Sequence, residues 1–508
     1  MTRHAVLLLL LLIVPVHAQP VANPGFDPAL VANVYSVALA FMEPRILEPV
    51  PVPVLTVWGM RGLTALDPNL LATQIDGKLV LTAGQRVVAE EAIPAGNSPA
   101  AWAVAAVRLS EAAAAVSVAV REAGTQAVIQ SFFDELFNHL DPYSRYTPPR
   151  EAAIERAARI GTAGLGVTLT QRGASVLVRS VTTDGPASMA GFHPGDTILT
   201  VDGTSARGQS AATIAALLAG PEGTTLHVTW RGDGRIRSAE LERAVVPPET
   251  VFYARVADVL LIRVTGFDHS TAAHLAIALR GEMAVPDPPT GIIIDLRGNR
   301  GGLLGEAVEA ANELLPAGVV AYTAGRDPDA SHVWRSSPGE ELARNVPVVL
   351  VIDGRSASAA EILTAALTDR GRAVAVGSTT LGKGLVQTIA PLPDGGELFV
   401  TWSRVLAPRG WPVQGLGVLP QVCTSLGEAA LQRQLTALAE GQQLMQGAID
   451  AERNARAPLT PDQMLAIRNA CPAAVGRDAD LGTARALIEN PAAYAAALLP
   501  PMQAAAGD

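Results

Sequence analysis

Three continuous apolar runs constrain the fold more than any other feature of the chain: Val259 to Val264, Gly291-Ile-Ile-Ile-Asp-Leu296 and Val346-Pro-Val-Val-Leu-Val-Ile352. A strand with one wet face alternates apolar and polar residues, whereas an unbroken apolar run suits a strand covered on both faces. Helical stretches follow at Ser270–Arg280, Leu304–Leu315 and Ala359–Asp369. Strand and helix signals in alternation specify an α/β core of mixed sheet and helices, placed here at residues 246–424.

The rest of the chain divides around that core. Its 508 residues suggest about three domains at roughly 150 residues each. Residues 156–245 carry short β-like runs (Ser175–Val181, Thr197–Val201, Leu226–Trp230) between glycine turns, with one helix over Ala211–Leu218. That pattern predicts a compact, partly open β-barrel. Residues 19–155 read as a helical, alanine-rich region, and residues 425–508 as helices broken by prolines. With 49% apolar and 17% charged residues, a large buried core is expected. A net charge of -10 and no Lys/Arg run leave no basic footprint for nucleic acid.

Residues 1–18 read as a secretory signal: Arg3 and His4, then six leucines from Leu7 to Leu12, then Val16-His17-Ala18 as a small-x-small cleavage site. The mature chain is expected to begin near Gln19 and to be periplasmic. In such an oxidising compartment Cys423 and Cys471 can pair as a disulfide; two buried free thiols are the alternative. These cysteines lack metal-ligand spacing and none of the eight histidines fits a hydrolase motif, so neither a metal nor an organic cofactor is implied.

Chemistry concentrates in two segments 25 residues apart, Asp353-Gly-Arg-Ser-Ala-Ser358-Ala-Ala-Glu361-Ile362 and Gly382-Lys383-Gly384-Leu-Val-Gln387. A serine hydroxyl is a poor nucleophile until a base takes its proton, and a desolvated lysine can be that base. Ser358-x-x-Glu361 is also a capping box, which opens a helix without any catalytic role. At a helix start, however, Ser358 lies beside unpaired N–H groups, and that of Ala359 can hold an oxyanion. Lys383 alone reads as a solvated turn residue. On the strand that Leu385-Val386 implies, residues 383, 385 and 387 share a face, and Gln387 can orient the amine. Asp295-Leu-Arg-Gly-Asn-Arg-Gly301-Gly302 ends a buried strand in a turn whose glycines permit close backbone approach.

In chain order, Asp295 to Gly302, then Ser356 to Ile362, then Gly382 to Gln387, these three segments resemble the carboxy-terminal processing (tail-specific) proteases, across residues 125–422. The resemblance implies a crotonase-like protease core with Ser358 as nucleophile, Lys383 as base and Gln387 as its partner. It assigns the second oxyanion donor to the N–H of Gly302, with Gly301 the fallback. Departures are Arg300 where proline is common, Ala360 for serine, Leu381 for an aromatic and Gln421 for aspartate.

Residues 156–245 resemble an inserted PDZ module, with Gly164-Leu165-Gly166-Val167 as its carboxylate-binding loop and Gly185-Pro-Ala through Asp202-Gly203 as its core pattern. Such a module adds a peptide C-terminus as an extra strand. The implied partners are proteins or peptides with exposed C-termini, with an adaptor or a homo-oligomer as further expectations. The rival reading is a catalytically inactive scaffold that kept the fold. A crotonase-type acyl-CoA enzyme is disfavoured by the export signal and the lysine.

Overall fold

The structure is a computed structural model that describes residues 25–183, 185–337, 339 and 341–500. The export signal at 1–18 lies outside the described residues. The chain divides into two units, one built mainly on Val50–Tyr146 and one running from Thr147 onward apart from Leu392–Asp394.

The first unit packs the helices Pro28–Arg45, Val52–Arg61, Pro99–Val116 and Val118–Phe137 around an aromatic core, with Tyr35 stacked on Phe132 at 3.9 Å between ring centroids. It also contains an antiparallel three-stranded sheet, Leu70–Ile75, Lys78–Ala83 and Arg86–Ala92. The helix-rich reading of residues 19–155 holds for most of the described part of that region, and this sheet is the addition to it. The physical cause is Asp76-Gly77, both at positive φ (49° and 74°), a two-residue turn whose twist matches that of a hairpin.

In the second unit, residues 156–245 form a sheet in the order Arg235–Glu242, Thr225–Gly232, Thr197–Val201, Ser175–Val181, Val167–Arg172, with the helix Ala211–Leu218 alongside. The last of these strands is an edge, hydrogen-bonded on one side only.

The core sheet runs Val251–Val256, Val259–Val264, Gly291–Asp295, Val348–Ile352, Val374–Gly377, Val422–Cys423; the first pair is antiparallel and the others parallel. Its side chains separate by parity. Leu260, Ile262, Ile292, Ile294, Val348 and Leu350 join the helices Thr271–Met283, Leu304–Asn312 and Ala359–Asp369 in one cluster. Val259, Ile293, Val349, Val351 and Val374 join the C-terminal helices Glu428–Ala439, Asp478–Glu489 and Pro491–Ala497 in another. Both faces of the inner strands Gly291–Asp295, Val348–Ile352 and Val374–Gly377 are thus dry, which is why they carry no alternation, whereas the edge strand Val251–Val256 is mostly exposed. Residues 425–500 supply the second cover. The Cys423–Cys471 disulfide (Cα–Cα 5.7 Å) joins that region to the last strand of the sheet.

Candidate active site

Ser358 precedes the helix Ala359–Asp369, every residue of which is buried. Its backbone sits at φ 56°, ψ -117°, a region that L-residues other than glycine avoid and that costs about 1–3 kcal/mol where the surroundings enforce it. A serine on a strained turn into a helix presents its hydroxyl clear of the helix. The capping box expected from Ser358-x-x-Glu361 forms on its glutamate side: the Ser358 N–H donates to Glu361 Oε2 at 2.7 Å. The Glu361 N–H is taken by the Ser358 carbonyl at 2.8 Å, and the Ser358 side chain makes no cap hydrogen bond.

Glu361 does more than cap. Its side chain is fully buried and accepts four hydrogen bonds. Oε2 takes the N–H of Ser358 and, at 2.9 Å, the N–H of Lys383. Oε1 takes the Gly382 N–H at 2.6 Å and the Thr380 hydroxyl. One oxygen thus holds the backbones of the two residues that the sequence singles out, which brings them within two hydrogen-bond lengths of each other. Four donors match the acceptor capacity of one carboxylate. Burial pushes the Glu361 carboxyl up, against the pull of the Thr380 hydroxyl and the three backbone N–H groups.

The glycine turn closes on the serine from the other side. A Cβ on Gly301 would lie 2.7 Å from Ser358 Cβ and 2.9 Å from the Ala359 nitrogen, so only glycine permits this approach. The Gly301 N–H donates to Asn299 Oδ1 at 2.8 Å and is occupied. Gly302 bridges to Phe267 through the Gly301 carbonyl and the Leu303 N–H, which donates to the Phe267 carbonyl at 2.8 Å. In such a bridge the N–H of the central residue points the opposite way, which leaves Gly302 the available donor of the pair. The Ala359 N–H is the first of its helix and has no intrahelical acceptor.

Two buried side chains that sequence reasoning did not single out fix this turn. Asn299 donates from Nδ2 to the Val264 carbonyl at 2.9 Å, and its own carbonyl accepts the Ala357 N–H at 2.9 Å. Asp353 accepts the N–H groups of Gly298 (2.9 Å), Arg355 (3.0 Å), Ser356 (3.0 Å) and Gly476 (3.1 Å). Burial raises its carboxyl, but these donors outweigh that and hold it below the ordinary value. Both fall inside segments quoted in the sequence analysis, where neither is assigned a role.

Lys383 is half-buried. The strand after it begins at Leu385 and runs to Pro391, so the expected alternation does not extend back to position 383; the Gly384 N–H donates instead to Gln414 Oε1 at 2.9 Å. The Gln387 amide donates to the Leu385 carbonyl (3.1 Å) and Thr401 Oγ1 (3.0 Å), which fixes the amide and leaves its oxygen as the acceptor end.

The loop Gly164–Val167 lines a groove of about 520 Å³, together with Ala215 and Leu218 of the helix beside the edge strand. The Leu165 carbonyl accepts the Ala187 N–H (2.9 Å) and the Gly166 carbonyl the Thr182 N–H (2.8 Å). In a trans peptide the N–H opposes the C=O, so the N–H groups of Gly166 and Val167 face away from those partners.

Comparison with known proteins agrees with this division. The model for peptidase family S41 matches residues 258–424 and that for PDZ domains residues 163–242. The chain is 32% identical over 302 residues to the carboxy-terminal-processing protease of Bartonella bacilliformis, covering 58% of this chain and 69% of that protein. It is 30% identical over 297 residues to a CtpA-like serine protease of Staphylococcus haemolyticus, covering 58% and 59%. Among solved structures, a photosystem II D1 C-terminal processing protease matches at 28% identity over 60% of this chain and 86% of that one, with a TM-score of 0.34. By its similarity to the Bartonella protein over more than two thirds of that relative, this chain belongs to the carboxy-terminal-processing proteases, serine peptidases with a PDZ domain.

Proposed function

We propose that the chain is a periplasmic endopeptidase that takes hold of exposed protein C-termini through its PDZ groove and cleaves peptide bonds with a Ser358–Lys383 dyad. The observation that carries this reading is the single Glu361 oxygen shared by the N–H groups of Ser358 and Lys383. A lysine that serves only as a surface charge has no reason to be gathered to a strained serine by a buried carboxylate.

The proposed steps are these. Neutral Lys383 takes the proton from Ser358 Oγ as that oxygen attacks the substrate carbonyl. The N–H groups of Gly302 and Ala359 receive the oxyanion. The tetrahedral intermediate collapses as the lysine returns the proton to the leaving amine, and water then hydrolyses the acyl-enzyme by the same route. The open edge of Val167–Arg172 supports capture of the substrate tail as an added strand, with the Gly166 and Val167 N–H groups toward its carboxylate. The leucine-rich N-terminus supports export.

Purified Ser358→Ala and Lys383→Ala proteins should each lose at least about 10³-fold in kcat/KM on casein or a peptide substrate while unfolding cooperatively near the unsubstituted Tm. Retained cleavage by either rejects the dyad. Comparative proteomics of exported proteins in a Ser358→Ala strain would then name the substrates as accumulating full-length species.

A further inference from the structure

Arg300 is the one side chain of the oxyanion turn that the proposed chemistry leaves unused. It is exposed and directly precedes Gly301, whose Cα packs against Ser358. Among the described residues no hydrogen bond or ion pair engages it. The carboxylates of Asp295, Asp353 and Glu361 near the turn are already committed. Asp295 holds Arg263 at 2.7 Å and Arg297 at 2.8 Å; Asp353 and Glu361 are occupied by the backbone N–H groups described above. A second guanidinium lies close by: Arg355 Nη2 is 3.8 Å from where a Cβ on Gly298 would stand. The entrance beside the nucleophile is therefore rich in cations, and none of the described carboxylates pairs with Arg300; Asp268, next to the Phe267 that bridges to Gly302, has a partnerless Oδ2 but is buried.

We propose that Arg300 is a specificity-determining residue that favours substrates with a carboxylate close to the scissile bond. The proposal rests on Ser358 being the nucleophile. A guanidinium offers a planar fork that pairs with carboxylates through two N–H groups. The carboxylate can come from an Asp or Glu side chain or from the α-carboxylate of a short leaving segment, because both present the same two oxygens. A proline at this position would offer no such partner. An exposed pair is screened by water and salt, so the preference is set by a single modest interaction and is expected to be roughly fivefold.

The test uses the full mature chain and fluorogenic peptides that carry Asp or Asn at each of the two positions on either side of the cleavage site. A second set places cleavage three residues from a C-terminus that is either free acid or amide. The unsubstituted protein should prefer Asp to Asn, or free acid to amide, by roughly fivefold in kcat/KM. The difference should lie mostly in KM and shrink at 0.5 M salt, as expected of a screened exposed pair. Arg300→Ala should bring the ratio to one, and Arg300→Glu should invert it, favouring Asn over Asp, or amide over free acid, at the same position. The first peptide set assigns a side-chain carboxylate and the second the terminal one. Equal ratios in all three proteins, with cleavage abolished by Ser358→Ala, overturn the role of Arg300 alone. Cleavage that survives Ser358→Ala, or no cleavage by the unsubstituted protein, overturns the dyad and this inference together.

Discussion

The edge strand Val167–Arg172 and the turn around Ser358 treat their backbone polar groups in opposite ways. The edge strand keeps one row of N–H and C=O groups without a neighbouring strand, beside a groove lined by small and apolar residues. Around Ser358 nearly every backbone donor is claimed, and Glu361, Asn299 and Asp353 together hold segments that are distant in sequence. The difference follows from what each region has to do. A recognition edge gains affinity by completing hydrogen bonds with its ligand, so it must leave them open. A turn that is to act as a catalytic site must hold its geometry before the substrate arrives, and here most of its own groups are satisfied within the protein. The strain at Ser358 belongs to the same logic, since a φ of 56° persists only where neighbours impose it.

The largest expected effect that tests this contrast is on Glu361. Glu361→Gln replaces one acceptor oxygen by an NH2 group that faces donors, leaving buried N–H groups unmatched. We expect kcat to fall by about 10²-fold and stability by about 2–3 kcal/mol, with affinity for a tail peptide unchanged. A variant with normal kcat would show that the shared carboxylate is only a helix cap. The groove should respond the other way. Ala215→Trp fills it, and tail-peptide affinity read by fluorescence anisotropy should drop by about tenfold with no change in Tm, a loss near 1.4 kcal/mol. A large Tm change there would mean that the groove is packing surface rather than open space. The smallest effect concerns strain. Ser358→Gly should be more stable than Ser358→Ala by about 1 kcal/mol in a denaturant titration, although glycine ordinarily costs stability; the reverse order would remove strain from the account.

Much of this was legible locally. Ser175–Val181, Thr197–Val201, Ala211–Leu218 and Ala359–Asp369 fall where the sequence pattern puts them, because short-range periodicity and turn residues decide them. The hairpin at Asp76-Gly77 carried a legible turn signal, but it was hidden by the alanine-rich helices around it. The strand before the catalytic helix starts at Val348 rather than Val346, since Pro347 has no N–H to give to the ladder. The motifs identified Ser358, Lys383 and the glycine turn as a set. They did not show that Glu361 joins them, because that contact crosses 22 residues and depends on a loop returning to the helix. Nor did they show that residues 425–500 cover the second face of the core sheet; helix periodicity reports that a face is apolar, not which partner meets it.

The account depends on an acyl bond at Ser358 whose formation needs Lys383. Rapid acid quench of the protein with a peptide ester, followed by peptide mapping in a mass spectrometer, reads that bond directly. The account predicts an adduct on the peptide containing Ser358 in the unsubstituted protein and none, or a trace formed at least about 10³-fold more slowly, in Lys383→Ala. An adduct on another residue, or one that forms at an undiminished rate without the lysine, would contradict it.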